Sequence, residues 1–528
     1  MSMKTSAETR FATAPLFTDG MVLQRDKPLA VWGTGPEGGQ VSVGLAGQSA
    51  RTAVNRGEWR VDLAPLEAGG PYLLEARCDA AAAAEAVRIR DVWVGEVWLA
   101  AGQSNMVQPL LVTEGGVQAS SRASDPGIRF FTVPRRPFPN ARVPGWDFVG
   151  TMSGDAAWQI CAPETALTFS AIGFHFADIL RPALGVPVGI ISCNWGATPA
   201  QAWMSERRLQ QDPMLRPLLE DYRVYVEQLD LCAYEQAHGR YIEAMHRLIA
   251  ERGDIERKVR ELGLSGYRKW VADHPLVWPD QPYGPKHPER PCGLHETMLS
   301  TIIPYSIRGV LWYQGEAHAM RSFEAPLYRH LLEGLIAGWR DDWHDPSLPF
   351  LVVQLPGYDP THDPQGEEWS LIREAQRETV ARTPNTALIA TLDCGERGDI
   401  HPVDKRAVAE RLALAVRSVA YGEPVRFEGP RFLPGAEYRG HSAWLRFDPR
   451  GEPPAVTDGS LNGFEVCGAD RIYYPAEARF VEEPDGIAVE VFCKQAPQPT
   501  AVRYAWGNMP EWSIAGMNGI PAAPQVFV

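Results

Sequence analysis

Ser104 stands in Gly102-Gln103-Ser104-Asn105-Met106, directly after a run from Val92 to Leu99 that is dominated by Trp, Val and Leu. Such a run predicts a buried strand, and the small and polar residues that end it predict a turn. Open α/β sheets gather their chemistry at the carboxyl ends of the strands, so a serine there is placed to act as a nucleophile. Hydrolysis by a serine needs a base for the hydroxyl proton, an acid to orient that base, and donors facing the oxyanion. Three further predicted strand ends carry distinctive residues: Gly196 in Asn194-Trp195-Gly196-Ala197-Thr198, Gln314 in Gln314-Gly315-Glu316, and Asp399 with His401 in Asp399-Ile400-His401-Pro402. Taken singly, each has a plainer use as a turn residue, a core amide or a structural histidine. Their recurrence at successive strand ends is what favours chemistry.

These ends need a scaffold, and the pattern supplies one. Residues 11–91 show short alternating runs such as Gln40-Val41-Ser42-Val43-Gly44-Leu45 between Gly/Pro turns, which predicts an N-terminal β-sandwich-like domain. Residues 92–205 switch to strands alternating with helix-like stretches, and residues 291–422 resume that pattern with Arg308–Tyr313, Phe350–Leu355 and Thr386–Leu392. Repetition of this kind predicts an α/β domain in two parts, built on a doubly wound, mostly parallel sheet. Residues 206–290 interrupt it with a Glu-, Arg-, Leu- and Ala-rich segment that predicts a mainly helical insertion, followed by the aromatic, Pro-rich loop 274–285. Such a loop could rim the site or merely tether the helices. Residues 423–528 return to short strands and predict a C-terminal β domain.

Composition narrows the partners. The 528 residues are 45% hydrophobic and 22% charged, a globular balance, and no apolar run reaches membrane-spanning length. A formal charge of −14 without a concentrated basic stretch argues against nucleic acid, and 17 Trp and 16 Tyr offer faces for stacking on a small neutral ligand. The eight cysteines form no Cys-x-x-Cys pair; Cys467 and Cys493 are the conceivable disulfide, and reduced core thiols are the favoured reading. His287, Cys292 and His295 match no recognised ligand spacing, so no metal is expected. The first ten residues lack a signal-peptide apolar core, which points to the cytoplasm as written, or to the periplasm or secretion if a leader was removed.

The blocks Gly102–Met106, Trp195–Thr198, Trp312–Glu316 and Asp399–Pro402 together resemble the sialate O-acetylesterase family of the SGNH/GDSL hydrolases. The likeness extends to Met21–Gln24, Gly69–Tyr72, Phe350–Tyr358, Arg373–Gln376 and Ala501–Trp506, and so to nearly the whole chain except the insertion. It implies an SGNH-type core and a carbohydrate O-acetylesterase that needs no cofactor. By resemblance Ser104 is the nucleophile and His401 the general base, with oxyanion donors from the Ser104 and Gly196 N–H groups and the Gln314 amide. The wider superfamily places its acid three residues before the histidine. That position is Gly398 here, which leaves Asp399, favoured for its proximity, or Asp393, where this family commonly carries Asp. Ala197 replaces the second glycine of the family's Gly-Gly-Thr pattern. The implied substrates are acetylated plant cell-wall glycans such as xyloglucan or xylan, or O-acetyl sialic acid; an acidic site would favour the neutral glycans. A lipase or thioesterase on longer acyl chains and a non-catalytic glycan-binding protein are the competing readings. Oligomeric state stays open.

Overall fold

The computed structural model describes residues 10–80, 83–139, 156–275, 277–321, 323–359, 366–457, 459–484 and 486–528. Its centre is a 20-residue strand, β1 (Ala83–Gly102), which is buried throughout Val94–Gly102. Five more strands complete the parallel part: β2 (Ile128–Thr132), β3 (Val188–Asn194), β4 (Gly309–Tyr313), β5 (Phe350–Val353) and β6 (Thr386–Ile389). They lie in the order β2-β3-β1-β4-β5-β6, with the short strand Gln159–Ile160 antiparallel at the β2 edge. The chain thus builds one side of β1 first and then crosses to the other, so the winding reverses beside β1. In doubly wound sheets the crevice at such a reversal is where ligands bind.

Both faces of the sheet must be covered, and the apolar sides of amphipathic helices cover them: α1 (Ala171–Leu184), α3 (Tyr328–Asp342), α4 (Glu368–Arg382) and α5 (Arg406–Val419), while α2 (Ile255–Asp273), from the insertion, packs on Leu111 and Leu167. The strands are Val-, Leu-, Ile- and Trp-rich on both sides because neither face meets water. Residues 206–290 hold the helices Glu206–Gln211, Arg216–Glu227, Leu231–Arg252 and α2.

The N-terminal β segment is not a separate body. The strand Gly69–Ala80 pairs antiparallel with the first half of β1, and Val22–Gln24 runs parallel beside Trp93–Gly95, so one 11-stranded sheet joins this segment to the α/β core. A single hydrophobic core runs from Phe11 to Val416. The expected border at 91/92 therefore falls inside a continuous strand. A buried carboxylate reinforces the junction. Glu96 accepts from Arg308 Nε at 2.8 Å, Arg25 Nε at 2.5 Å and Gln24 Nε2 at 3.1 Å.

The strands of residues 437–527 enclose a second core around Phe432, Leu445, Val466, Val491 and Tyr504. Fully buried Arg373 of α4 docks this unit by donating to the carbonyls of Gly507 and Asn508. Cys467 and Cys493 are free thiols. No helix among the described residues is long and apolar enough to cross a membrane.

Candidate active site

Strand register brings three of the four blocks to one level. Gly102 of β1 lies opposite Asn194 of β3 and Tyr313 of β4, so the residues that follow each of them emerge at the same edge of the sheet. Gly102 is required there: φ is +134°, and a Cβ would lie 2.0 Å from the Tyr313 carbonyl oxygen. The next residues are pinned across strands, Gln103 N–H to the Tyr313 carbonyl and Trp195 N–H to the Gly102 carbonyl, both at 3.0 Å.

Ser104 opens the single helical turn Ser104–Val107. Gly196 packs directly on it, since a Cβ on Gly196 would meet Ser104 Cβ at 3.4 Å. Neither the Ser104 nor the Gly196 N–H has an acceptor among the described residues. Ala197 follows with φ +60°, a left-handed conformation that costs a residue with a side chain about 1 kcal/mol. The glycine that the family pattern carries here would adopt that conformation freely.

Ser104, Gly196, Asp399 and His401 line one cleft of about 1720 Å³. Its far wall comes from the insertion, with Tyr241, Tyr267, Arg268 and Trp278 among the lining residues. Ser104 and His401 are both half-buried, and the His401 ring makes no hydrogen bond with a described residue. Burial, helped by nearby Lys405 and opposed by Asp399, lowers the His401 pKa from 6.5 and favours the neutral imidazole that a base requires.

Two expected roles meet a different geometry. Gln314 is fully buried and outside the cleft lining, and its Nε2 donates to Gln103 Oε1 at 3.2 Å and the Thr198 carbonyl at 3.3 Å. Both hydrogens are thus committed, and Gln314 does not face the cleft as an oxyanion donor in this structure. Of the two, the amide that does reach the lining is Gln103. Its Oε1 accepts from Gln314 Nε2 and from Ala317 N–H at 3.1 Å, which turns Nε2 away from both. Asp399 likewise does not bond the imidazole. Its Oδ1 accepts the His401 backbone N–H at 2.8 Å and its Oδ2 accepts Arg268 Nη2 at 2.9 Å. Asp393, the other candidate acid, lies outside the lining and is held by both terminal nitrogens of Arg411.

Beneath the cleft floor lies a polar group that the motif reading left unassigned. Asn105 Nδ2 donates to Glu316 Oε1 at 2.5 Å and to the Ile400 carbonyl at 3.0 Å, and Lys405 Nζ donates to Asn105 Oδ1 at 2.7 Å. Burial raises the pKa of Glu316, with Asn105 and Lys405 acting in the opposite direction, and burial lowers that of Lys405 to about 8. The cleft's charges are mixed: Arg135, Arg268, Lys269, Arg321 and Arg397 stand among Glu289, Glu316, Glu396 and Asp399. The acidic chain as a whole therefore does not make an acidic cleft.

A serine at the reversal of a doubly wound sheet, in a cleft shared with a histidine, is the framework of a carboxylic ester hydrolase, and comparison with known proteins agrees. A family model described as "carbohydrate esterase, sialic acid-specific acetylesterase" matches residues 294–417. Rat sialate O-acetylesterase (Rattus norvegicus) is 29% identical over 452 residues, covering 80% of this chain and 76% of the relative. The human enzyme (Homo sapiens) is 27% identical over 457 residues, covering 80% and 74%. The crystal structure of a carbohydrate acetylesterase from Xanthomonas citri superposes with a TM-score of 0.75 at 31% identity, covering 98% of this chain and 99% of that one. The chain belongs to the sialate O-acetylesterase-like family of carbohydrate esterases.

Proposed function

We propose that the protein removes acetyl groups from acetylated oligosaccharides through a covalent acetyl-enzyme on Ser104. Ser104 Oγ attacks the acetyl carbonyl as His401 takes its proton. The oxyanion accepts from the N–H groups of Ser104 and Gly196 and from the Gln103 amide, which Gln314 holds in place. His401 then protonates the departing sugar hydroxyl. Water, deprotonated by His401, attacks the acetyl group and releases acetate. Asp399 remains the preferred acid: it acts on His401 through the backbone and through its charge, whereas Asp393 is committed to Arg411.

The observation that carries this reading is the pair of backbone N–H groups, on Ser104 and Gly196, that have no acceptor among the described residues and share a cleft with His401. Cleft size supports an oligosaccharide: about 1720 Å³ exceeds the roughly 300–1,000 Å³ typical of small-molecule pockets. Trp278, 46% exposed, adds a ring face suited to sugars. Since the lining charges are mixed, the preference for neutral glycans such as acetylated xyloglucan or xylan over O-acetyl sialic acid rests on size alone.

The test is acetate release from acetylated xyloglucan oligosaccharides, acetylated xylan fragments and O-acetyl sialic acid, by the wild type and by Ser104→Ala. Release from the oligosaccharides that Ser104→Ala abolishes is expected, together with activity on p-nitrophenyl esters that falls as the acyl chain lengthens beyond acetyl. Undiminished release by Ser104→Ala, or faster turnover of long acyl chains, would overturn the reading.

A further inference from the structure

Lys405 sits where a cation is least expected. It is the N-cap residue of α5, the helix end at which the dipole disfavours positive charge, and it is only 1% exposed. A residue that defies both burial and helix electrostatics marks a place where function overrides local preference. Its Nζ donates to the Pro402 carbonyl at 2.6 Å and to Asn105 Oδ1 at 2.7 Å. Asn105, equally buried, passes the contact on to the Ile400 carbonyl and to Glu316, whose Oε2 is buried without a partner among the described residues. The carbonyls on either side of His401 are thus tied to one buried network that starts beside Ser104, while the His401 N–H is held by Asp399.

We propose that Lys405 is a positioning residue for His401: through the Pro402 carbonyl and Asn105 it fixes the loop that carries the imidazole relative to the Ser104 turn, and it places a buried positive charge beside that imidazole. The inference rests on His401 being the general base. The charges that face His401 are Lys405, from the start of α5, and Asp399, from its own loop; Asp399 is itself paired with Arg268 of α2. Lys405 in turn faces Glu316, Asp399, Glu396 and the Cys394 thiol. With its pKa lowered to about 8, Lys405 is predominantly cationic below neutrality, where a histidine of lowered pKa titrates. Its effect on His401 is therefore to lower the pKa, in the same direction as burial and against Asp399.

The experiment is the pH dependence of kcat and kcat/KM for p-nitrophenyl acetate, measured on the full chain as wild type, Lys405→Met and Lys405→Arg. Loss of the charge in Lys405→Met moves the acid limb of kcat/KM to higher pH, and loss of the two bonds lowers plateau kcat by about 10- to 100-fold. Lys405→Arg keeps the acid limb at the wild-type pH while kcat falls. Where Lys405→Met does not fold, Lys405→Gln makes the same prediction for the acid limb, because it removes the charge while its amide can still donate to the two acceptors, so its kcat falls less. An acid limb that stays in place in the neutral variants, with kcat reduced equally at every pH, overturns the proposal. Ser104→Ala is run on the same ester. Activity that survives there refutes the nucleophile assignment, an outcome separate from the position of the acid limb.

Discussion

Gln103 Oε1 receives two donors, Gln314 Nε2 and Ala317 N–H, and this fixes the direction in which its own amide nitrogen can act. Gln103→Glu keeps both acceptor contacts and removes the donor, while the carboxylate placed at a 2% exposed position lowers thermal stability. Losing one oxyanion donor lowers kcat by about 10²–10³, and steady-state kinetics with p-nitrophenyl acetate would show this with KM little changed. An unaltered kcat would return the oxyanion role to the two backbone N–H groups alone. At this scale the sequence carried the motif but not the division of labour. Gln103 and Gln314 are amides of the same type, and which one faces the cleft depends on contacts between residues more than 200 positions apart. Asp399 teaches the converse, because closeness to His401 in sequence led its carboxylate to the backbone N–H rather than to the ring. Lys405 did leave a local trace, a lysine immediately ahead of an apolar helix, where an anion or a neutral cap would ordinarily stand.

At the scale of elements, the interior of β1 shows how a buried carboxylate can join parts of the chain. Burial works to raise the pKa of Glu96, but the bonds from Arg308, Arg25 and Gln24 outweigh it and leave the pKa below the ordinary value of 4.5. A carboxyl with a depressed folded-state pKa contributes stability above its unfolded pKa, and that contribution is lost as pH falls through the folded value. Glu96→Ala strands the charges of Arg25 and Arg308 and should cost about 3 kcal/mol, near the lower end for breaking a buried pair because both arginines are partly exposed. Urea melts at pH 7 and pH 3 would check this, with the gap between variant and wild type narrowing at pH 3. The parallel strands themselves were legible, since a strand covered on both faces must be apolar along its whole length and reads as such. The border at 91/92 was not, because nothing in local composition distinguishes a strand that ends from one that bends and enters a second layer of pairing.

For the whole molecule, the main core and the C-terminal core meet across a polar seam in which Glu367, Trp369, Ser370 and Arg373 bond residues 503–508, and two such cores imply two levels of stability. The C-terminal β unit can loosen without disturbing the sheet that carries the cleft, so a calorimetric trace should resolve more than one transition. The continuity of β1 acts in the opposite sense on the rest of the chain. From its N-terminal pairing with Gly69–Ala80 to its last contacts at Gly102, it pairs with strands of both the N-terminal segment and the α/β core, so no partial opening frees its inner amides. Hydrogen–deuterium exchange followed by mass spectrometry should find Val94–Gly102 among the last peptides to take up deuterium, at a rate set by global unfolding, while strands of residues 437–527 exchange earlier. Trimming the leading β segment would then expose the flank of β1 to intermolecular pairing rather than release a smaller working esterase, and such truncations are expected to aggregate.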